Sequence, residues 1–251
     1  MGGDILINEN EHVVQKRSVG QILLAIIKFV GFVILSTIPA QVIIILIIND
    51  HHFSNIVNGI FSLMWIFLIS VIAWFLWNRY YKYSGEKAQK MSWADIGYAL
   101  GFFLITRLIA IVGTLLISWI HGEESTANDE ILMSIANPEG TFAPYYILFL
   151  LAVGMLVPII EELAFRGIGT HLLFKKHTYW LPLIVTSTIF GFMHNPTNVI
   201  SFLLYGSIGV VFFIAYQRRK NILDSMLVHI LHNGIGAALL LVMFIVDLIT
   251  Q

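Results

Sequence analysis

The sequence predicts an all-α fold: a polytopic bundle of seven transmembrane helices, or eight if one long segment divides. Three observations carry this. Of 251 residues, 58% are hydrophobic and 12% charged, where a soluble domain has about 25% charged residues. Apolar runs long enough to span the ~30 Å hydrocarbon layer recur along the chain. No polar stretch is long enough to be a soluble domain. The net charge of −1 gives no electrostatic case for nucleic acid, and the absence of cysteine excludes disulfides, thiolate zinc sites and cysteine nucleophiles.

Residues 1–20 read as a cytoplasmic polar tail, with Lys16 and Arg17 at the membrane edge. The apolar run that follows is too long for a cleavable signal. The first span is 21–48, kinked at Pro39, and His51 and His52 lie in the loop after it. The second, 56–78, leads into a basic loop with Arg79, Lys82, Lys87 and Lys90, where Tyr80, Tyr81 and Tyr83 are interface anchors. The third, 93–120, has Asp95 near its start and Arg107 near its middle. Arg107 is expected to pair with a neighbouring helix, with a carboxylate of the central stretch or with a substrate.

The loop 121–143 is acidic, with Glu123, Glu124, Asp129, Glu130 and Glu139 and no Lys or Arg. It reads as a solvated connector with a short helix over 131–136 ending at Asn137-Pro138; a lid or docking segment is the alternative. The run 144–174 is too long for one straight span, and Pro158 is expected to kink it. Spans follow at 179–194 and 198–217, and a last one, capped by Asn221 or Asp224, runs to about Ile249. With seven spans the basic segments 16–17, 79–90, 175–176 and 218–220 share one side and the acidic loop takes the other. The positive-inside rule then puts the N-terminus in the cytoplasm.

The stretch from Ile159 to Gly167 breaks the apolar pattern with Glu161, Glu162 and Arg166. One charge near the bilayer centre costs at least ~2.5–3.5 kcal/mol on insertion scales. Such groups persist where they pair or line a wet cavity. Glu162 and Arg166, at i and i+4, pair along one helix face. Glu161 points ~100° away and needs a partner from another helix. Candidates are His194, at the end of an apolar run, and His229, His232 and Asn233 in the last span, where His229 and Asn233 share a face. A purely structural salt bridge would leave Glu161 unexplained.

These residue types permit hydrolysis. A carboxylate in a low-dielectric site is a better base, so Glu161 can take a proton from water, with His194 sharing that role or orienting the water. His229 and Asn233 can donate to the oxyanion of a tetrahedral intermediate. Two His with Glu also suit zinc. The His-Glu-x-x-His, Gly-x-Ser-x-Gly and Gly-x-Gly-Asp patterns of other protease designs are absent from the sequence. A simple span over 179–194 would carry His194 to the outer end, away from His229, so the helices must be tilted, offset or broken for the two to meet.

Three motifs then resemble one family. Glu161-Glu162-x-x-x-Arg166, Phe190-x-x-x-His194 and His229-x-x-x-Asn233 are similar, in order and spacing, to those of the CAAX protease and bacteriocin-processing (CPBP, or Abi) family, whose eukaryotic members include the type II CAAX prenyl endopeptidase. The resemblance covers residues 144–236 and implies a glutamate-dependent intramembrane endopeptidase. Glu161 and His194 would activate water, His229 and Asn233 would form the oxyanion hole, and Glu162 and Arg166 would shape the site.

The implied organisation is N-terminal helices and acidic loop over 21–143, then a catalytic helix core over 144–251. The expected partners are the lipid bilayer and a peptide or membrane-protein substrate, with no cofactor; zinc on Glu161, His194 and His229 is the alternative. The expected place is a bacterial cell membrane, where the family's roles are bacteriocin maturation, immunity and peptide signalling. The competing function is a non-catalytic scaffold or immunity protein that binds a peptide or membrane partner. A transporter would show internal symmetry, and none is apparent.

Overall fold

A computed structural model describes residues 17–135, 140–176 and 178–250. The tail up to Lys16 and the Asn137-Pro138 stop lie outside the described residues. Eight helices follow in order: α1 Val19–Ile48, α2 Asn55–Ser84, α3 Trp93–His121, α4 Ala127–Ile135, α5 Ala143–Leu173, α6 Trp180–Met193, α7 Val199–Gln217 and α8 Ile222–Thr250. No strand occurs among the described residues. Six of these helices, all but α4 and α6, are long and apolar enough to cross a membrane, so the protein is a multi-pass membrane protein.

Helix ends follow local chemistry. Ser18, Ser54, Ser92 and Asn198 accept from backbone N–H groups of the first turns of α1, α2, α3 and α7, as N-caps do. Gly85 and Gly122, at φ 68° and 71°, close α2 and α3 in the left-handed conformation. Asn221 and Asp224, expected as caps for α8, form cross-links. The Asn221 amide donates to the Gln89 carbonyl and accepts from its N–H. Asp224 holds Arg218 and Arg219, which also reach Asp95 at 2.6 and 3.1 Å.

The basic segments gather at one end of the bundle. Arg17 donates to the Leu172 carbonyl at 2.8 Å. Tyr216 donates to Glu86 at 2.6 Å, and its hydroxyl lies 2.7 Å from His171 Nε2. Burial raises the Glu86 carboxyl above the usual range. At the other end Asp50 accepts from the Phe142 N–H at 2.6 Å, and its carbonyl accepts from Asn58.

The core lies around α5 and α7, each 56% buried over its apolar window against 17–28% for the other four long helices. α5 is enclosed by α1, α2, α6 and α8, while α7 lies between α6 and α3. The run expected to kink at Pro158 stays helical throughout, but Ala152–Leu156 and Leu163–Gly169 are wound as π-helix. Pro158 cannot donate to the Gly154 carbonyl, and a widened turn beside it absorbs the defect. There α5 and α8 meet backbone to backbone: a Cβ on Gly154 would lie 2.8 Å from the Ala237 Cβ and 3.3 Å from the Gly234 Cα.

Candidate active site

The second π-helical stretch begins just after the paired glutamates. Glu162 and Arg166 are fully buried and bonded, Nη1 to Oε1, at 3.0 Å. Arg166 Nη2 donates to the Gly209 carbonyl at 2.8 Å, and the guanidinium lies 4.7 Å from the centre of the Phe190 ring and 5.5 Å from that of Phe212. Gly209 is needed here, because a Cβ on it would stand 3.2 Å from Arg166 Nη2. A buried charge placed this way has a counter-ion, a hydrogen-bonded carbonyl and aromatic faces.

His229 comes from α8 and is 1% exposed. Its Nδ1 lies 3.0 Å from Glu162 Oε1, the oxygen that Arg166 also holds. The carboxylate accepts, so Nδ1 carries the proton. Nε2 then faces Glu161, whose Oε2 is 3.7 Å away. The His229 ring stacks on Phe212 at 4.2 Å. The two glutamates are thus unlike. Glu162 has no exposed side-chain surface, whereas Glu161 keeps 16% of its own and bonds to neither Arg166 nor Nδ1.

His194 approaches through Phe190, whose ring lies 4.4 Å from His194 and 5.7 Å from His229. α6 stops after 14 residues, about 21 Å at 1.5 Å per residue, and Asn195 turns the chain at φ 49°. This resolves the depth problem: His194 ends a short helix rather than a full span. Its Nδ1 donates to the Phe190 carbonyl at 2.8 Å, which leaves Nε2 free of that bond.

Asn233 lies one turn beyond His229 and donates to the Val153 carbonyl at 3.3 Å. The structure therefore joins Glu161, Glu162, Arg166 and His229 directly, and links His194 through an aromatic ring. Asn233 is bonded to the first π-helical stretch. Arg107 is exposed and makes no ion pair among the described residues, so of its expected partners neither a neighbouring helix's carboxylate nor one of the central stretch holds it.

Other members of the site were not singled out from sequence. Phe212 and Gly209 sat in a span read as plain membrane helix. Thr106 of α3 is 3.0 Å from His232 Nδ1 and donates its own proton to the Phe103 carbonyl, so it accepts from His232. Gly209 and Thr106 were marked only as a small and a polar residue in apolar runs, and Phe212 by nothing. The alternative ligand set for zinc is Glu161, His194 and His229. Among the described residues no three His, Cys, Asp or Glu side chains gather closely enough to hold a metal ion.

Residues 143–235 match the family model for type II CAAX prenyl endopeptidase Rce1-like proteins. The chain is 29% identical over 199 residues to the UPF0177 protein YvdC of Lactococcus lactis, covering 77% of this chain and 70% of that one. It is 29% identical over 141 residues to the membrane-embedded CAAX protease MroQ of Staphylococcus aureus, covering 54% and 53%. To the putative membrane peptidase YdiL of Bacillus subtilis it is 30% identical over 86 residues, 34% of each chain. No solved structure matches. The segment that holds Glu161, His194, His229 and Asn233 is thus similar to the type II CAAX prenyl endopeptidase family, the resemblance that its three motifs carry.

Proposed function

We propose that the protein is an intramembrane endopeptidase that hydrolyses a peptide bond with water activated by Glu161. One observation carries this: of two adjacent glutamates, Glu162 is sealed between Arg166 and His229, while Glu161 keeps exposed surface beside His229 Nε2. One carboxylate holds the site together and the other is left for chemistry. The Rce1-like match and the peptidase names of two relatives point the same way.

Glu161 takes a proton from water as the water oxygen attacks the scissile carbonyl carbon. The proton passes to the departing amine as the C–N bond breaks, giving a carboxylate and an amine. His194 Nε2 accepts a hydrogen bond from the same water. His229 Nε2 and the Asn233 amide donate to the oxyanion; His229 does so with both ring nitrogens protonated, because Nδ1 already donates to Glu162. No step passes through a metal. The substrate is a peptide or a membrane-protein segment. The basic end of the bundle faces the cytoplasm of a bacterial cell membrane, together with the N-terminus.

Cleavage of a quenched peptide library by the purified protein tests this, beside Glu161→Ala and with a chelator. The expected result is cleavage that Glu161→Ala abolishes and the chelator leaves unchanged. Loss on chelation with rescue by zinc would replace the metal-free mechanism. Full biological activity of Glu161→Ala in cells would replace the peptidase with a scaffold.

A further inference from the structure

The His194 ring lies between two aromatic rings. Phe190 is on one side at 4.4 Å, and Tyr205 of α7 stacks on it at 4.5 Å and 21°. With Nδ1 bonded to the Phe190 carbonyl, ring plane and tautomer are both fixed, and Nε2 is the nitrogen left over.

Tyr205 is itself held from outside the core. It is 7% exposed, and a buried phenol needs a partner for its hydroxyl. Its partners come from the acidic connector. The hydroxyl donates to Asp129 Oδ1 at 3.1 Å and lies 2.7 Å from Thr126 Oγ1. With its proton on Asp129, it accepts from Thr126. Thr126 also receives the Asp129 N–H at 3.1 Å, so it caps the start of α4. The cap of α4, a carboxylate of its first turn and Tyr205 form one knot, and the ring of Tyr205 is the surface on which His194 stacks.

We propose that Tyr205 is a positioning residue for His194, and that the connector acts on the site through the Tyr205 hydroxyl. This rests on the peptidase reading for its consequence and on ring stacking for its geometry. The connector, which reads as solvated from sequence, becomes the strap that keeps His194 in place. A substrate segment that lifts α4 would loosen His194, and one that leaves it seated would not.

Two readouts test this, and one needs no turnover. In protein with isotope-labelled histidine, the His194 ring signal is identified by its loss in His194→Gln. Tyr205→Leu removes the stacked ring and should move that signal, whereas Tyr205→Phe keeps the ring and should move it less. On the cleaved peptides, Tyr205→Leu should lower kcat on the order of tenfold with KM changed by less than about twofold, as for a misplaced catalytic group. Tyr205→Phe and the double variant Thr126→Val/Asp129→Asn should show the same smaller loss, and combining them should add nothing. Both latter variants leave the packed ring in place, so they guard against loss of folding in Tyr205→Leu. A His194 signal unmoved by Tyr205→Leu would overturn the proposal, as would equal kcat in Tyr205→Leu and Tyr205→Phe. If no Glu161-dependent cleavage occurs, the peptidase reading fails by itself, and the His194 signal still decides whether Tyr205 holds the ring.

Discussion

Glu161 and Glu162 are chemically identical neighbours, and their surroundings separate them. Glu162 shares one oxygen between Arg166 and His229 inside a shell of Phe190 and Phe212. Removing one partner strands the other in low dielectric, so Arg166→Leu should destabilise the fold by about 3–5 kcal/mol. Thermal or denaturant unfolding in detergent would measure this. Arg166→Lys should recover only part of the loss, because a point charge cannot bond Glu162 and the Gly209 carbonyl together as a guanidinium does. The Glu162–Arg166 pair was legible from i,i+4 spacing alone. The second partner was not, because His229 Nδ1 reaches Glu162 only through the way α8 faces α5. The unpaired state of Arg107 was likewise invisible, since spacing says nothing about which way a lone charge turns.

At the scale of the element, hydropathy located the helices and missed what makes them meet. The expected ends of the first, third, fourth, fifth and sixth apolar segments lie within two residues of those observed. α2 runs six residues past its expected end to Ser84, because Arg79 to Ser84 continue the helix outside the apolar run. Hydropathy does not mark the π-helical stretches, since an extra residue in a turn hardly disturbs a largely apolar pattern. Pro158 was the one signal, and it indicated a kink rather than a widened turn. The contact of α5 with α8 depends on Gly154 and Gly234. Gly154→Ala puts a Cβ 2.8 Å from that of Ala237, and overpacking of this kind costs about 1–3 kcal/mol. The expected outcome is a lower melting temperature together with reduced peptide cleavage, because the same helices carry Glu161, His229 and Asn233.

Across the whole molecule the two ends of the bundle differ in charge and in ties. Arg17, the 85–92 loop, the end of α5 and the α7–α8 turn meet at the basic end through Leu172, Tyr216, Asp95 and Gln89. The connector closes the other end on Tyr205. The lack of cysteine in the sequence makes orientation simple to measure. In whole cells, a membrane-impermeant maleimide should label Glu124→Cys, and should label Lys87→Cys only after permeabilisation; the reverse pattern would invert the topology.

The division of labour between the two glutamates is tested most directly by measuring cleavage and unfolding side by side in Glu161→Gln and Glu162→Gln. Glu161→Gln should unfold like the wild type while its cleavage rate falls by about 10²–10⁴, the usual contribution of a general base. Glu162→Gln should unfold more easily, because Arg166 loses its buried counter-ion. Wild-type cleavage by Glu161→Gln, or loss of stability there rather than in Glu162→Gln, would contradict the account.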